Sequence, residues 1–169
     1  SDEAIRMAAS SSATLTVKNC IIWAENSTSD QDGIYAGAID CTVNVENCIL
    51  YNWGRAGLHP QITGGTHTQT WNVNSCTAWN CNTVASEDDG GGISILLNGS
   101  GFTYNINLFN CSFANAATDS SSGDYNERLS TGTATWNIDN CIDGDNSIAG
   151  LDAGAVGALA SRTARDATA

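Results

Sequence analysis

The sequence predicts an all-β fold, a parallel β-helix, from three observations. These are strands of alternating polarity, a repeat of about 30 residues, and a composition poor in helix signals. Asn, Thr, Ser and Gly are abundant, and the 169 residues include one Pro. Apolar residues mostly occur singly between polar ones. Such a composition is typical of short strands joined by turns.

An Asn-Cys or Ser-Cys pair anchors the repeat. Its cysteines are Cys20, Cys48, Cys76, Cys111 and Cys141, so the gaps are 28, 28, 35 and 30 residues. The residues before them are Asn19, Asn47, Ser75, Asn110 and Asn140. A period in this range indicates a solenoid, a propeller or an array.

Three apolar segments make up each repeat. Three and five residues before the cysteine the positions are apolar, and four and six residues before it they are Thr or Asn, which is the period of a half-buried strand. A second segment follows the cysteine, and a third opens with glycine, at 33–39, 57–62 and 92–97. Three short strands per repeat predict one coil of a parallel β-helix. About five coils would stack at roughly 4.8 Å.

Two other all-β folds fit less well. Propeller blades need four antiparallel strands in about 40 to 50 residues, which is longer than these units. A β-sandwich remains the alternative, but it gives no reason for five aligned Asn/Ser-Cys pairs. The sequence therefore favours the β-helix.

The anchoring pair has a structural explanation. Asn tolerates positive φ better than most residues, so it suits a bend between two strands, and stacked Asn side chains can hydrogen-bond to each other. Cysteine fits as a small apolar residue inside the bend. Seven cysteines cannot all pair, and we expect free thiols. A bond between Cys41 and Cys81 is left open.

The pattern V-x-N-C-x-I/F, as in residues 17–22, resembles the coil signature of the right-handed parallel β-helix superfamily, the pectate-lyase-like fold. The resemblance covers residues 13 to 145. It implies a right-handed solenoid of about five coils with short end-capping segments. We expect an N-terminal cap at 1–12, the β-helix at 13–146, and an Ala/Gly-rich C-terminal cap or docking tail at 147–169. The segment SDEAIRMAA could form a short capping helix.

Two sets of side chains are candidates for an outer binding face. Thr14, Thr42, Thr70 and Thr135 form one outward row beside Asn44, Asn72, Asn107 and Asn137, which is a solvated surface or an array for a sugar, an ice-like water lattice or a subunit. Aromatic residues cluster after the bend: Trp23, Tyr51, Trp53 and Trp79. If they point outward, they suit carbohydrate rings or a subunit interface; if inward, they belong to the core.

Acidic loops precede two of the glycine-led strands. Their acids are Asp30, Asp32, Glu87, Asp88 and Asp89. Stacked carboxylates could hold Ca²⁺ or act as paired acids of a glycosidase, and solvated turns are the third explanation. Calcium is therefore the one cofactor that the sequence suggests; otherwise we expect none.

Catalysis has weak support in the sequence. The resemblance implies that an enzyme of this kind would be a polysaccharide lyase or a glycoside hydrolase. Arg55, His59 and His67 lie near the second repeat, but they match no catalytic motif, so we assign no catalytic residue. Eighteen acids against six bases would also repel an anionic polysaccharide.

The same charge balance bears on partners. A net charge of -12 disfavours nucleic acid, and no apolar run approaches 18 residues, so we expect no spanning helix. The resemblance to phage appendages, tailspikes and bacterial surface modules implies a structural or binding module on a virion or cell surface. Its expected role is capsid decoration, appendage or adhesin, with a glycan- or subunit-binding face. We expect a homo-oligomer, with a trimer favoured, or other surface proteins as partners.

Overall fold

Among the residues that the computed structural model describes, all regular secondary structure is β-strand. The structure describes residues 3–8, 12–25, 31–37, 40–62, 65–81, 83, 91–97, 102–114, 125–128, 133–143 and 158–166. Every recorded strand pairing is parallel, and most strands pair with the equivalent strand of the next repeat. This confirms an all-β protein of stacked parallel strands, an arrangement consistent with a solenoid.

The first sheet contains the glycine-led strands. It stacks β1 (Glu3–Met7), β4 (Asp32–Gly37), β7 (Ala56–Ile62), β10 (Gly91–Leu97) and β13 (Tyr125–Arg128) in that order. All described side chains of β4 are buried, and so are those of β7 except Gln61. Both faces of these strands are therefore covered.

The second sheet has a long-strand arm and a short-strand arm. The long strands are β2 (Ala13–Lys18), β5 (Cys41–Glu46), β8 (Thr68–Asn74), β11 (Thr103–Phe109) and β14 (Thr133–Asp143). The short strands are β3 (Ile21–Trp23), β6 (Ile49–Tyr51), β9 (Thr77–Trp79) and β12 (Ser112–Ala114). β14 is long enough to join both arms, and β15 (Ala158–Asp166) pairs with it through two register shifts.

The expected alternation holds in the long strands. Their apolar columns pair in register, as in Val17 with Val45 and Trp71 with Ile106, and they line the core. The Thr and Asn columns between them are half-buried or exposed. Burial of the apolar columns against the other strands is what holds the stack together.

The residue before each anchoring cysteine lies in the left-handed region. Its φ is 56° at Asn19, 54° at Asn47, and 55° at Ser75, Asn110 and Asn140. Asn47 Nδ2 donates to Asn19 Oδ1 over 2.8 Å, and Asn140 Nδ2 donates to Asn110 Oδ1 over 2.6 Å. These side chains form a ladder of hydrogen bonds between repeats. Ser75 interrupts it, because Asn110 Nδ2 donates to Asn74 Oδ1 instead.

The expected N-terminal helix is wrong. Residues Glu3–Met7 form β1, which pairs in parallel with β4, with Ile5 beside Ile34. Ile5 and Met7 alternate with exposed Ala4 and Arg6, which is the period of a strand. The edge of β4 supplies hydrogen-bond partners for the backbone of this segment. A short isolated helix would have no such partners from a neighbouring strand. The cap boundaries at residues 12 and 147 stay predictions.

Candidate functional site

An exposed apolar strip covers the outer side of the short strands. We call it the aromatic face; its large side chains are Ile21, Trp23, Ile49, Tyr51 and Trp79. Ile21 is 61% exposed, Trp23 55% and Trp79 52%. The columns follow from register, since Ile21 pairs with Ile49, and Trp23 with Tyr51, which pairs with Trp79. An exposed apolar patch of this kind marks an interaction surface.

The rings of this face stand side by side. The ring centroids of Trp23 and Tyr51 are 6.1 Å apart and their planes differ by 7°. If the planes were about 3.5 Å apart, the rings would be offset by about 5 Å, so neither covers much of the other. Trp53 does not share this face: it is 4% exposed, and its Nε1 donates to the Ile22 carbonyl over 3.3 Å.

The aromatic face carries no charge. The outward positions of the four short strands are Ile21, Trp23, Ile49, Tyr51, Thr77, Trp79, Ser112 and Ala114. None of them is ionisable near neutral pH, although the chain has eighteen acids. The centre of a protein interface is typically depleted of charge and enriched in Trp and Tyr.

A second surface is the Thr/Asn face of the long strands. Its amides form a ladder: Asn72 donates to Asn44 over 2.9 Å, Asn107 to Asn72 over 2.8 Å, and Asn137 to Asn107 over 2.7 Å. Two shallow depressions of about 380 and 490 Å³ lie on this face. Thr14, Asp40 and Thr70 line the first, and Lys18, Asn74 and Phe109 the second. The ladder satisfies the amides within the protein, as expected of a structural surface.

Glycines set the orientation of the first sheet. A Cβ at Gly33 would lie 2.9 Å from a Leu50 methyl, and one at Gly57 would lie 3.3 Å from Ala78 Cβ, so both positions face the core. The following residues, Ile34 and Leu58, also belong to the core. Two successive inward residues interrupt the alternation of the strand. The residues on either side of each pair therefore lie on the outer side.

Asp32, Arg55 and His59 meet on this outer side, and we call them the buried polar cluster. Arg55 Nε donates to Asp32 Oδ1 over 3.1 Å, and Arg55 Nη2 donates to Oδ2. The Ala56 N–H donates to Oδ1 over 3.2 Å, and His59 Nδ1 lies 2.8 Å from Oδ2. Asp32 and His59 are 0% exposed and Arg55 is 7% exposed.

The cluster keeps a buried carboxylate ionised. Burial alone would raise the pKa of Asp32, but His59 and Arg55 beside it hold that pKa below its usual value. Tyr35 packs edge-on to His59, with ring centroids 5.5 Å apart, and Arg6 lies 5.4 Å from the centre of the Tyr35 ring. Burial raises the pKa of Tyr35, so it remains a neutral phenol that donates to Gln61 Oε1.

One polar atom of the cluster has no partner. His59 Nε2 is buried and makes no hydrogen bond in the structure, whereas its Nδ1 faces the Asp32 carboxylate. A buried unsatisfied atom of this kind is uncommon and points to strain, to a catalytic role or to a missing bound group.

The anchoring cysteines are satisfied within the strands. Each thiol donates to the carbonyl two residues earlier, at 3.1 Å for Cys20 and 3.2 to 3.4 Å for the other four. All seven cysteines are free, including Cys41 and Cys81. Burial raises the pKa of Cys41 to about 11 and also raises that of Cys48. Hydrogen bonds with Cys111 lower the pKa of Cys76 to about 7 and also lower that of Cys141. Buried thiols with a raised pKa, such as Cys41 and Cys48, serve packing.

Most of the predicted calcium ligands lie outside the described residues. These are Asp30, Glu87, Asp88 and Asp89. Asp32 is described, and both of its oxygens accept hydrogen bonds from protein donors. Within the described ranges, no three His, Cys, Asp or Glu side chains converge to hold a metal ion. Calcium at the acidic loops stays a prediction.

The sequence reasoning missed two features. It assigned Asp32 to calcium and left Arg55 and His59 without a role, although all three form one cluster. Aligning the runs on Gly33, Gly57 and Gly92 would have placed His59 beside its neighbours. It also missed a second ladder, where Asn52 and Asn80 have φ of 61° and 51° and Asn80 donates to Asn52 over 2.9 Å.

The other histidine forms a solvent-facing pair. His67 Nδ1 lies 3.4 Å from Asp40 Oδ2, and the Thr68 N–H donates to Asp40 Oδ1 over 2.7 Å. These contacts hold the pKa of Asp40 below its usual value. Because the Asp40 carboxylate is half exposed, this pair resembles a loop anchor more than a site.

In the part of the chain that the structure describes, no helix is long and apolar enough to cross a membrane. No protein-family model, no curated protein and no solved structure matches this chain. The function is therefore argued from the sites themselves.

Proposed function

We propose that the chain is a right-handed parallel β-helix of about five coils, of the pectate-lyase-like kind, that serves as a docking module on the surface of a virion or a cell. Strands stacked in parallel register and a left-handed residue at every anchoring bend support the fold. All seven thiols are free, so folding needs no disulfide and no oxidising compartment.

The observation that carries the docking function is the aromatic face. It brings two exposed Trp, one Tyr and two exposed Ile together on strands that present no charge. Trp23 and Trp79, each just over half exposed, present roughly 100 Å² apiece. With the other three side chains, the strip reaches about half of the 800 Å² per partner in a standard interface.

We propose that the occupant is another copy of the chain, in a trimer. Ile21 and Ile49 make up the row beside the rings, and aliphatic side chains favour protein over sugar, which needs hydrogen-bond donors and acceptors beside its stacking platform. A charge of -12 on each copy opposes association, so copies should meet where charge is absent. The aromatic face meets that requirement.

Sedimentation of the purified chain tests this proposal. We expect a species of about three times 17.6 kDa that becomes monomeric in the double variant Trp23→Ser/Trp79→Ser. The matched control is Phe109→Ser, because Phe109 is 40% exposed but lies on the Thr/Asn face. The control should leave the trimer intact.

Other results would redirect the proposal. A monomeric wild-type chain at micromolar concentration would overturn the self-association. If that monomer bound glycans and lost binding in the Trp double variant, the face would be a carbohydrate platform. A polysaccharide lyase or glycosidase would need basic groups beside its substrate. Arg55 and His59 are both engaged with Asp32, so no described residue favours such an enzyme.

A further inference from the structure

The larger depression on the Thr/Asn face is the starting point. Its volume is about 490 Å³, and its lining includes Lys18, Glu46, Asn72, Asn74 and Phe109. Sites for small ligands have volumes of roughly 300 to 1,000 Å³, so this depression is large enough for one. We call it the Phe109 depression. It lies on the long strands and is therefore separate from the aromatic face on the short strands.

Strand register explains which side chains line this depression. One column of the sheet crosses β2, β5, β8 and β11 and consists of Lys18, Glu46, Asn74 and Phe109. Two residues earlier on each strand, a second column lies on the same face: Thr16, Asn44, Asn72 and Asn107. Neighbouring positions in a column are about 4.8 Å apart. The depression therefore lies between a column rich in amides and a column that begins with two charges and ends with an aromatic ring.

The amides beside the depression keep hydrogen-bonding capacity for a ligand. An Asn side chain offers two N–H groups and two carbonyl lone pairs. The ladder uses one of each at Asn72, which donates to Asn44 Oδ1 over 2.9 Å and accepts from Asn107 Nδ2 over 2.8 Å. The same ladder fixes these half-buried amides, so a ligand would bind them with little further loss of side-chain entropy.

Asn74 is the most accessible amide of the depression. Its side chain is exposed, and its Oδ1 accepts from Ser75 Oγ over 3.0 Å and from Asn110 Nδ2 over 3.3 Å. Its Nδ2 donates to no group within the described residues. The two N–H groups of Asn74 are therefore available to a ligand, while its oxygen holds the side chain in place.

Phe109 supplies an apolar platform next to this amide. Its side chain is 40% exposed, and it pairs in register with Asn74. The face of an aromatic ring is partially negative, so it attracts the C–H groups of a sugar ring that stacks on it. A sugar stacked on Phe109 would therefore bring its hydroxyls beside the Asn74 N–H groups.

The charges around the depression favour a neutral ligand. Lys18 Nζ lies 2.6 Å from Glu46 Oε2, so the cation of this lining is already paired. Asp139 is exposed and follows Phe109 in register on β14. An anionic ligand would therefore meet the carboxylates of Glu46 and Asp139 on a chain whose net charge is -12.

We propose that the Phe109 depression binds a neutral sugar, with Phe109 stacked on the ring and the amides of Asn72 and Asn74 bound to its hydroxyls. This site goes beyond the docking function, because it does not involve the aromatic face. Sugar hydroxyls both donate and accept, so they match side chains that keep spare N–H groups and lone pairs. The depression is shallow, and we expect a Kd on the order of 1 mM.

The first test is a titration of the nitrogen-15-labelled chain followed by NMR. The probes are the neutral disaccharides cellobiose, maltose, lactose, mannobiose and N,N′-diacetylchitobiose, each raised to tens of millimolar, with digalacturonate as the anionic comparison. We expect at least one neutral sugar to shift the side-chain amide resonances of Asn72 and Asn74 in a saturable manner. The indole resonances of Trp23 and Trp79 should not move.

Three results of this titration would overturn the proposal. The first is the absence of saturable shifts with every neutral sugar. The second is a set of shifts confined to Trp23, Tyr51 and Trp79, which would place the sugar on the aromatic face. The third is tighter binding of digalacturonate than of any neutral sugar, because the surrounding carboxylates should repel it.

Variants of the lining assign the contacts. Phe109→Ser should weaken sugar binding at least about fivefold because the platform is lost, whereas Phe109→Trp should bind at least as tightly as wild type. Asn74→Ala should weaken binding about fivefold, since it removes the two available N–H groups. The matched control is Thr135→Ala, because Thr135 is half-buried on the same face but outside this lining, and it should bind like wild type. Equal affinities of wild type and Phe109→Ser would contradict the site.

Sedimentation of the same variants separates this site from the docking proposal. Phe109→Ser should lose sugar binding and keep the trimer, whereas Trp23→Ser/Trp79→Ser should lose the trimer and keep sugar binding. Loss of the trimer in Phe109→Ser would mean that a neighbouring copy fills the depression, which would overturn the sugar site. Loss of sugar binding in the Trp double variant would overturn it as well, because binding would then depend on the aromatic face.

Discussion

Two outer surfaces of this stack depart from ordinary burial in opposite directions. The short strands expose Trp23 and Trp79 to solvent, while the glycine-led strands bury Asp32 and His59 completely. Both surfaces are built from in-register parallel strands. They differ in the side chains that these strands point outward.

The comparison shows what a repeat constrains and what it leaves free. The inward columns are mostly apolar, because each repeat buries its face only against the next. The outward columns have no such requirement, so one surface can collect apolar groups and another can collect charges. Departures from simple burial on those surfaces are where function is to be sought.

The largest expected effect comes from a substitution in the buried polar cluster. Asp32→Ala removes the buried carboxylate that Arg55 and His59 share, at a site where Arg55 is 7% exposed. Breaking one partner of a buried pair costs about 3 to 5 kcal/mol of the free energy of unfolding. Urea titration followed by circular dichroism measures the loss.

Asp40→Ala is the control for this loss. Its carboxylate also accepts from a backbone N–H and from a histidine, but it is half exposed. We expect a much smaller loss than in Asp32→Ala, because solvent screens an exposed carboxylate. Equal losses in the two variants would show that burial of Asp32 is energetically unimportant.

A second prediction concerns acid. The folded pKa of Asp32 lies below its ordinary value of 3.8, so the unfolded chain takes up this proton first as pH falls. The stability that the carboxylate contributes is complete well above pH 3.8. It declines as pH falls from there through the lower folded pKa. Urea midpoints between pH 7 and pH 2 should therefore drop steeply at the acid end.

A variant of Asp40 shows which of the two aspartates causes the loss of stability at low pH. Asp40 also has a lowered pKa, but it is exposed, so Asp40→Asn should preserve most of the steep drop. If Asp40→Asn flattened the limb instead, the exposed pair and not the buried cluster would control acid stability.

The sequence was sufficient for the parts of the fold that repeat locally. The Asn-Cys or Ser-Cys pair, as at Asn19 and Cys20, recurs directly after each alternating strand. The strand and the bend that ends it could therefore be predicted from the same short pattern. The N-terminal segment was misjudged, because an acidic start suggested a helix while the edge of β4 was not visible in the sequence.

The candidate sites were harder to predict because they depend on contacts between repeats. Asp32 meets Arg55 and His59, which are 23 and 27 residues later in the chain. The glycine-led strands are offset by 24 residues in one pairing and 35 in the next, unlike the cysteine spacing. The burial of Trp53 and the exposure of Trp79 likewise could not be predicted from the sequence. The conformation of the bend decides which of the two rings points into the core.

A smaller effect concerns the bend that separates the long strands from the aromatic face. Ser75 has φ of 55° and lacks the amide that its neighbours use, so the ladder detours through Asn74. Ser75→Asn should raise the free energy of unfolding by about 0.5 to 1 kcal/mol, because Asn tolerates this φ and restores a hydrogen bond. The reverse change, Asn47→Ser, should lower it, and a stabilising Asn47→Ser would contradict the ladder's contribution.

The smallest effect on stability belongs to the exposed side of the comparison. Trp79→Ser removes a large ring that is 52% exposed, and we expect the unfolding free energy of the dilute monomer to change by less than about 0.5 kcal/mol. Chemical denaturation at low protein concentration measures this value free of association. A loss above about 1 kcal/mol would mean that the ring supports the fold itself. A negligible loss together with weaker self-association would mean that an aromatic residue is kept on this surface for a partner, just as His59 is kept buried in the other for a reason that packing does not supply.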